Sequence, residues 1–276
     1  MRNKNSILLT DSAFDLSTAT HCSLLMRIGV DSFSYALVDT IQNKIMLVYD
    51  EQTYRPSIEQ LSERIKTDPY LRLAFSQVKI ACYTDKLAHF PESLFNKNST
   101  FIQTALIGDF SSENLIQRRE PKWALRSLMG FSENENNIFR TIWPDSRCYP
   151  VSSPMLQRIK TIEEDTALYM DFTAGAVYIV YWRSGELIFH QTFEISDADE
   201  LNYYLLLLQE LLALPMAQTT LCLSGIIHTD DDKYQRLARY FNDIRFILSE
   251  ISVQSAFLND MPLHYYTTLF TLYACE

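Results

Sequence analysis

Two stretches of this chain repeat one order of elements, and that repetition restricts its fold more than any single motif does. The clearer copy, residues 166–196, reads TALYMDFTAGAVYIVYWRSGELIFHQTFEIS. Its runs at 167–172, 176–183 and 186–194 are rich in Tyr, Val, Ile and Phe, and the turns Thr173-Ala174-Gly175 and Ser184-Gly185 separate them. Such a pattern predicts an antiparallel meander. Asp197 is placed to cap a helix over 198–214, with Glu200 bonding back to it as a capping box. A strand at 220–227, a polar helix at 231–242 and a strand at 244–248 follow.

The first copy has runs at 23–30, 34–40 and 44–49, with turns at Asp31-Ser32 and Gln42-Asn43. Pro56 suits the first turn of a helix, in which Ile58, Leu61 and Ile65 recur at helical spacing. An apolar strand at 78–83 and a turn-rich piece reaching Pro91 come next. Both copies therefore begin β-β-β-α-β. LLMRIGVDSFSYALVD and ALYMDFTAGAVYIVYW align without a gap, Leu25 against Leu168. Repetition of this length points to a duplicated domain, not a short-repeat solenoid. The expected units are 1–152, with an insertion at about 96–150, and 153–276. Within the insertion, Trp123, Leu125, Leu128 and Met129 predict a helix, 132–137 is polar, and 138–143 reads as a strand. Met155, Ile159 and Ile162 suit an amphipathic connecting helix; 262–275 allows a final helix or a strand. The Leu-rich run 205–214 is apolar on nearly all faces and is expected between sheet and neighbours.

Composition narrows the partners. A net charge of −10 repels phosphate backbones and anionic lipid headgroups. The compact basic group Arg118, Arg119, Lys122 and Arg126, with Glu120 among them, reads as a solvated helix face, so no nucleic acid is expected. The chain holds only six Gly in 276 residues, well under the usual ~7%. Phosphate-cradling loops need Gly for close backbone approach, so this scarcity argues against a working nucleotide site. Cys22, Cys82, Cys148, Cys222 and Cys275 are far apart, with neither a disulfide framework nor a zinc spacing. No apolar run resembles a signal peptide, and 203–214 falls short of the ~20 residues a membrane span requires. The expectation is a cytoplasmic protein without a membrane span.

A duplicated β-β-β-α-β-α-β unit with a tight hairpin after each first strand is similar to the actin-like ATPase superfamily. More narrowly, the chain resembles an uncharacterised bacteroidete family assigned that fold, and more distantly the type IV pilus assembly proteins of the actin-like group. The resemblance implies an α/β protein with mixed sheets, built as two ribonuclease-H-like subdomains flanking a cleft. It further implies, in active members, an Asp on each first strand for magnesium, Gly-containing hairpins for ATP phosphates, and a Gly pair beneath adenosine. This sequence departs at each place. Arg27-Ile28-Gly29 keeps the Gly but sets a guanidinium where oxygen donors are wanted. Asp171-Phe172-Thr173 keeps the carboxylate, and Gly175 follows in the turn, but β-branched Thr173 replaces the Gly. Ser224-Gly225-Ile226 has lost the second Gly. ATP hydrolysis is not expected; ATP and Mg²⁺ are disfavoured, and no cofactor is assigned.

The cleft candidates are therefore Arg27, Gly29, Asp171, Thr173, Gly175, Ser224 and Gly225, with no catalytic residue and no metal ligand assigned. Asp171 reads either as a ligand carboxylate or as a strand-end Asp bonded to the next turn. Arg27 can pair with Asp171 across the cleft or hold an anionic ligand. A two-metal nuclease needs converging carboxylates; Asp39, Asp171, Glu194, Asp230, Asp231 and Asp232 supply the type, though the last three read better as a helix N-terminus. His21, His89, His190, His228 and His264 lack metal spacing, and His190 is expected to face outward or join a satisfied network. Ser224 sits in no nucleophile elbow. The favoured function is a non-catalytic binding or scaffolding module with protein partners. Its alternatives are a small anionic ligand or nucleotide in the cleft, and a metal-dependent nuclease.

Overall fold

The computed structural model describes residues 5–53, 55, 58–94, 114–120, 123–159, 164–249 and 256–276. Strands β1 (Ser6–Thr10), β2 (Cys22–Ile28), β3 (Ser32–Asp39) and β4 (Lys44–Gln52) lead to helix α1 (Ile58–Thr67) and strand β5 (Gln77–Cys82). A three-stranded antiparallel sheet follows, from β6 (Leu87–Pro91), β7 (Leu115–Glu120) and β8 (Leu125–Gly130). Helix α2 (Glu133–Ile142) then leads to β9 (Arg147–Pro150), which completes a first sheet of order β1-β4-β3-β2-β5-β9. After α3 (Ser152–Ile159) come β10 (Thr166–Phe172), β11 (Ala176–Arg183), β12 (Glu186–Glu194), α4 (Ala198–Leu212), β13 (Thr220–Gly225), α5 (Asp232–Leu237) and β14 (Ile244–Phe246). The second sheet runs β12-β11-β10-β13-β14. The chain ends in α6 (Thr267–Thr271) and a 3₁₀ turn, Leu272–Ala274. In both large sheets a three-stranded antiparallel meander (β2-β3-β4 and β10-β11-β12) is followed by strands parallel to its first strand (β5 and β9; β13 and β14), and the first sheet adds β1 antiparallel to β4.

Both faces of each large sheet are covered, which explains their nearly unbroken apolar runs. Alternation sorts the side chains. On the outer face of the first sheet Leu24, Met26, Phe33, Tyr35 and Leu37 pack with Leu61, Ile65 and Phe139 from α1 and α2. On the outer face of the second, Leu168, Met170, Val177 and Ile179 pack under Leu201, Leu205 and Leu208 of α4. The inner faces meet α6 and α3, which contact each other between the sheets. Leu25, Ala36, Val38 and Ala81 are covered by Tyr266, Leu269, Phe270 and Leu272, so residues late in the chain return to the first sheet. Among the described residues no helix is long and apolar enough to cross a membrane.

Several sequence expectations change. Residues 125–130 form strand β8, because β6 and β7 pair with both its edges; the helical spacing of Leu125, Leu128 and Met129 is overridden. Residues 138–143 lie instead at the end of α2, where Ser132 and Glu135 form a full capping box inside the polar run. The turn-rich piece before Pro91 contains β6. Arg118, Arg119 and Arg126 sit on strands, not a helix face: Arg119 and Arg126 pair with Glu92, and Arg118 donates to the Cys148 carbonyl. The helix expected over 231–242 is regular only through Leu237, and 262–275 contains α6, not a strand. Asp197 does cap α4, but Glu200 bonds to Ser196, one residue before the cap. The Leu-rich helix is not covered all round, since Tyr203, Leu206 and Leu211 are exposed. The gapless alignment is one residue out of register. Hairpin bonds Gly29 N to Ser32 O and Thr173 N to Ala176 O match Arg27 with Asp171, and both second strands carry a register shift at the matching place, Leu37/Val38 and Tyr181/Trp182. The readings placed on Pro56, Lys122 and Ile162 lie outside the described residues.

Lys79 of β5, only 5% exposed, ties the returning segment down by donating to the carbonyls of Tyr273 at 2.7 Å and Cys275 at 2.5 Å. Replacing it with an apolar side chain strands two buried acceptors. Lys79→Met should cost on the order of 2–3 kcal/mol, read as a lower urea midpoint at unchanged slope; an unmoved midpoint would show that the segment is held without it.

Candidate functional site

The same alternation that fills the cores turns Arg27 of β2, Asp171 of β10 and Ser224 of β13 towards the seam between the sheets. Asp171 is fully buried and Arg27 is 7% exposed. Arg27 Nη2 lies 2.5 Å from Asp171 Oδ2, and its guanidinium sits over the Tyr178 ring, 4.8 Å from the centroid. Asp171 Oδ1 also accepts from the Ser224 hydroxyl and, at 2.8 Å, from Thr268 of α6. Ser224 in turn accepts from the Tyr169 hydroxyl at 2.9 Å. Burial works most strongly against the Arg27 charge, but Asp171, Tyr178 and Asp31 together offset it and hold the guanidinium above its usual range. Asp171 is thus not a strand-end Asp bonded to its own turn. Its carboxylate accepts three bonds, from a guanidinium and two hydroxyls, and the ion pair closes the seam.

The two hairpins close it again nearby. Asp31, in the turn after β2, is 2% exposed. Its Oδ1 accepts from the Thr173 hydroxyl at 2.7 Å and its Oδ2 from the Gly175 amide at 2.7 Å. The Ala174 amide donates to Gln52 Oε1 at 3.0 Å, and Lys233 reaches the Ala174 carbonyl at 3.1 Å. From the other side, the Val30 amide donates to the Tyr178 hydroxyl at 2.8 Å. A carboxylate of one hairpin therefore occupies the hydrogen-bond donors that the other hairpin turns to the seam.

The three glycines serve this closure. A Cβ at Gly29 would stand 2.8 Å from the Tyr178 hydroxyl and clash with Ser32 Oγ; one at Gly175 would crowd Asp31 Oδ2 at 3.1 Å. Gly225 has φ +79°, and a Cβ there would run into the Phe172 backbone. Its amide donates to the His264 carbonyl at 2.9 Å, and the Ile226 amide to the Phe172 carbonyl at 2.8 Å, so the end of β13 is stitched to its neighbours.

The remaining acidic residues do not converge on Asp171. Glu194 pairs with Arg55 at 2.5 Å, and Asp39 accepts from the amides of Ile41 and Gln42. Asp231 stands at the N-cap of α5 but accepts from the preceding His228 amide, and Asp230 lies 3.5 Å from His228, so the capping expected of the acidic triplet is not made. Sequence reasoning missed Tyr178, Thr268, Asp31 and Asp50. Asp31 carried a turn signal, but nothing in its neighbourhood announced a partner 142 residues away. Asp50 is 8% exposed; burial pushes its carboxyl up to about 6, against the pull of Gln52 and Arg27.

A family model described as a protein of unknown function, DUF3822, matches residues 11–244. Among curated proteins none matches. The crystal structure of a Bacteroides thetaiotaomicron protein, described as having an actin-like ATPase fold and unknown function, is similar at a TM-score of 0.75. It shares 18% identity, over 96% of this chain and 100% of that one. A PilM–PilN type IV pilus biogenesis complex is similar at a TM-score of 0.55, with 11% identity over 91% of this chain and 97% of that one. At such identities the likeness carries the fold: this is an actin-like ATPase fold of mixed α/β sheets.

Two substitutions probe the seam. Arg27→Ala leaves a buried, uncompensated carboxylate and should cost about 3–5 kcal/mol, whereas the Arg27→Ala/Asp171→Ala double variant should cost less than the sum of the two single ones; additive denaturation energies would refute the pairing. Asp50 has a folded pKa raised above its unfolded one, so its contribution is full below about pH 4 and is lost as pH rises through about 6. Asp50→Asn should therefore stabilise on the order of 1–2 kcal/mol at pH 8 and lose that gain at pH 4 to 5, measured by urea titration.

Proposed function

The chain belongs to the DUF3822 family of proteins of unknown function, and we propose that it is an actin-like-fold protein that does not hydrolyse ATP and works as a binding or scaffolding module. One observation carries this reading: the seam where a nucleotide would enter is filled by the chain's own charges. Arg27 stands on the first strand and is consumed by Asp171; Asp31 sits on the hydroxyl of Thr173 and the amide of Gly175. A phosphate would have to displace a buried carboxylate that is already hydrogen-bonded there, and a divalent cation would face a guanidinium across Asp171. The lost second Gly at Ile226 agrees with this.

The matching strand orders, hairpin bonds and register shifts of the two large sheets support an origin by internal duplication, with units near 1–152 and 153–276. A protein partner is the natural client of such a module. The likeness to one member of a PilM–PilN complex, itself an assembly of two proteins, favours that choice over a small anionic ligand, for which the seam offers no uncommitted cation at Arg27. A two-metal nuclease gains no support, because among the described residues Asp171 meets a guanidinium and hydroxyls and no second carboxylate.

Calorimetry with Mg-ATP tests the reading. The expected result is no saturable heat and no phosphate release. Micromolar affinity (about −8 kcal/mol) accompanied by turnover would overturn it.

A further inference from the structure

Beside the closed ion pair, but separate from it, a cavity of about 220 Å³ opens at the carboxyl ends of β5 and β9, facing β11 and β12. The first half contributes Tyr83, Asp85 and Ser152 to its wall, and the second contributes Tyr178, His190 and Thr192. It is smaller than the ~300–1,000 Å³ of drug-sized sites. Behind the wall runs an ordered relay. Glu120 accepts from the hydroxyls of Ser153 and, at 3.1 Å, Ser127. Ser127 Oγ lies 3.0 Å from His89 Nδ1, and His89 Nε2 lies 3.3 Å from Ser152 Oγ.

Counting protons along that relay fixes its polarity. With the Ser127 proton given to Glu120, Ser127 must accept from His89 Nδ1–H. His89 Nε2 is then a lone pair that takes the Ser152 proton, so buried Ser152 keeps no proton to offer the cavity. His190 stacks edge-on against His89, with centroids 5.1 Å apart at 84°, and its ring makes no hydrogen bond to any described residue. The wall is thus rich in uncommitted acceptors and hydroxyls.

Charge is unwelcome on this wall. None of its described lining residues is Lys or Arg, and its one acid, Asp85, pairs with Lys86 at 3.3 Å. Burial pushes His89 down to about 3 and His190 to about 4, so both rings are neutral at neutral pH. The same desolvation penalises an ammonium or a carboxylate brought into the cavity.

We propose that this cavity is a binding site for an uncharged polyol of monosaccharide size or smaller, whose hydroxyls donate to His190 and reach Thr192. The site draws on both halves of the molecule, so its occupant adds a bridge across the seam. It does not depend on whether the neighbouring ion-paired cleft takes a nucleotide.

Saturation-transfer NMR on the full chain, with glycerol, myo-inositol and D-glucose as uncharged probes, tests this. D-glucose 6-phosphate and ethanolamine serve as charged counterparts. The expected result is saturable binding of at least one uncharged probe with a Kd on the order of 1 mM, weakened about tenfold by His190→Phe and by Thr192→Val, and unchanged by the distant Arg245→Ala. Using two variants on different atoms keeps the test valid should one of them fold poorly. No saturable binding of the uncharged probes, a preference for the charged ones, or binding that survives both variants would overturn the proposal.

Discussion

Everything at the centre of this molecule depends on one buried ion pair between the two large sheets. Arg27 and Asp171 occupy matching positions on the first strand of each half. Desolvating both is expensive, and the geometry recovers that cost only because Ser224, Thr268 and the Tyr178 ring complete the environment. Those three come from β13, α6 and β11, so the pair demands that the second sheet, the returning helix and the first sheet all be in place together. Such a pair is weak evidence for stability in itself. It is strong evidence for one relative placement of the halves, because any other leaves a bare charge in the core.

The hairpins show how an anion-binding geometry can persist after its use has changed. Thr173 keeps a hydroxyl and Gly175 an amide turned to the seam, and Asp31 satisfies both. The donors are not orphaned, which is what a buried backbone requires. Gly29 and Gly225 are retained for reasons of packing: one admits the Tyr178 hydroxyl, the other lets β13 turn against Phe172.

How much of this could be read from residues alone divides along the range of the forces involved. The meanders were legible because β-branched and aromatic runs broken by small turn residues are local signals, and comparing the two first strands left a pairing of Arg27 with Asp171 as one of two readings. Residues 125–130 and 138–143 exchanged identities because their apolar spacing is ambiguous over so short a window. Edge pairing with β6 and β7 decided the first, and the Ser132–Glu135 capping box decided the second. That box was present in the sequence as a motif and went unread. Asp31, Thr268 and the His89–His190 contact were invisible for another reason: each finds its partner about a hundred residues or more away in the chain. The exposed face of α4 escaped because Leu content reports propensity for burial, while the sheet beneath covers only one side.

The returning segment has a consequence for the order in which the chain acquires structure. The inner face of the first sheet, with Leu25, Ala36, Val38 and Ala81, is covered by Tyr266, Leu269, Phe270 and Leu272. During vectorial synthesis the first half emerges long before its cover, and domains ordinarily fold as they emerge. Here the early half carries an uncovered apolar face, and a buried Lys79 awaiting the carbonyls of Tyr273 and Cys275, until residues 266–275 have left the ribosome. The second half is thus an excursion between two pieces of one core, and residues 266–275 act as the latch that commits the first sheet to the native state.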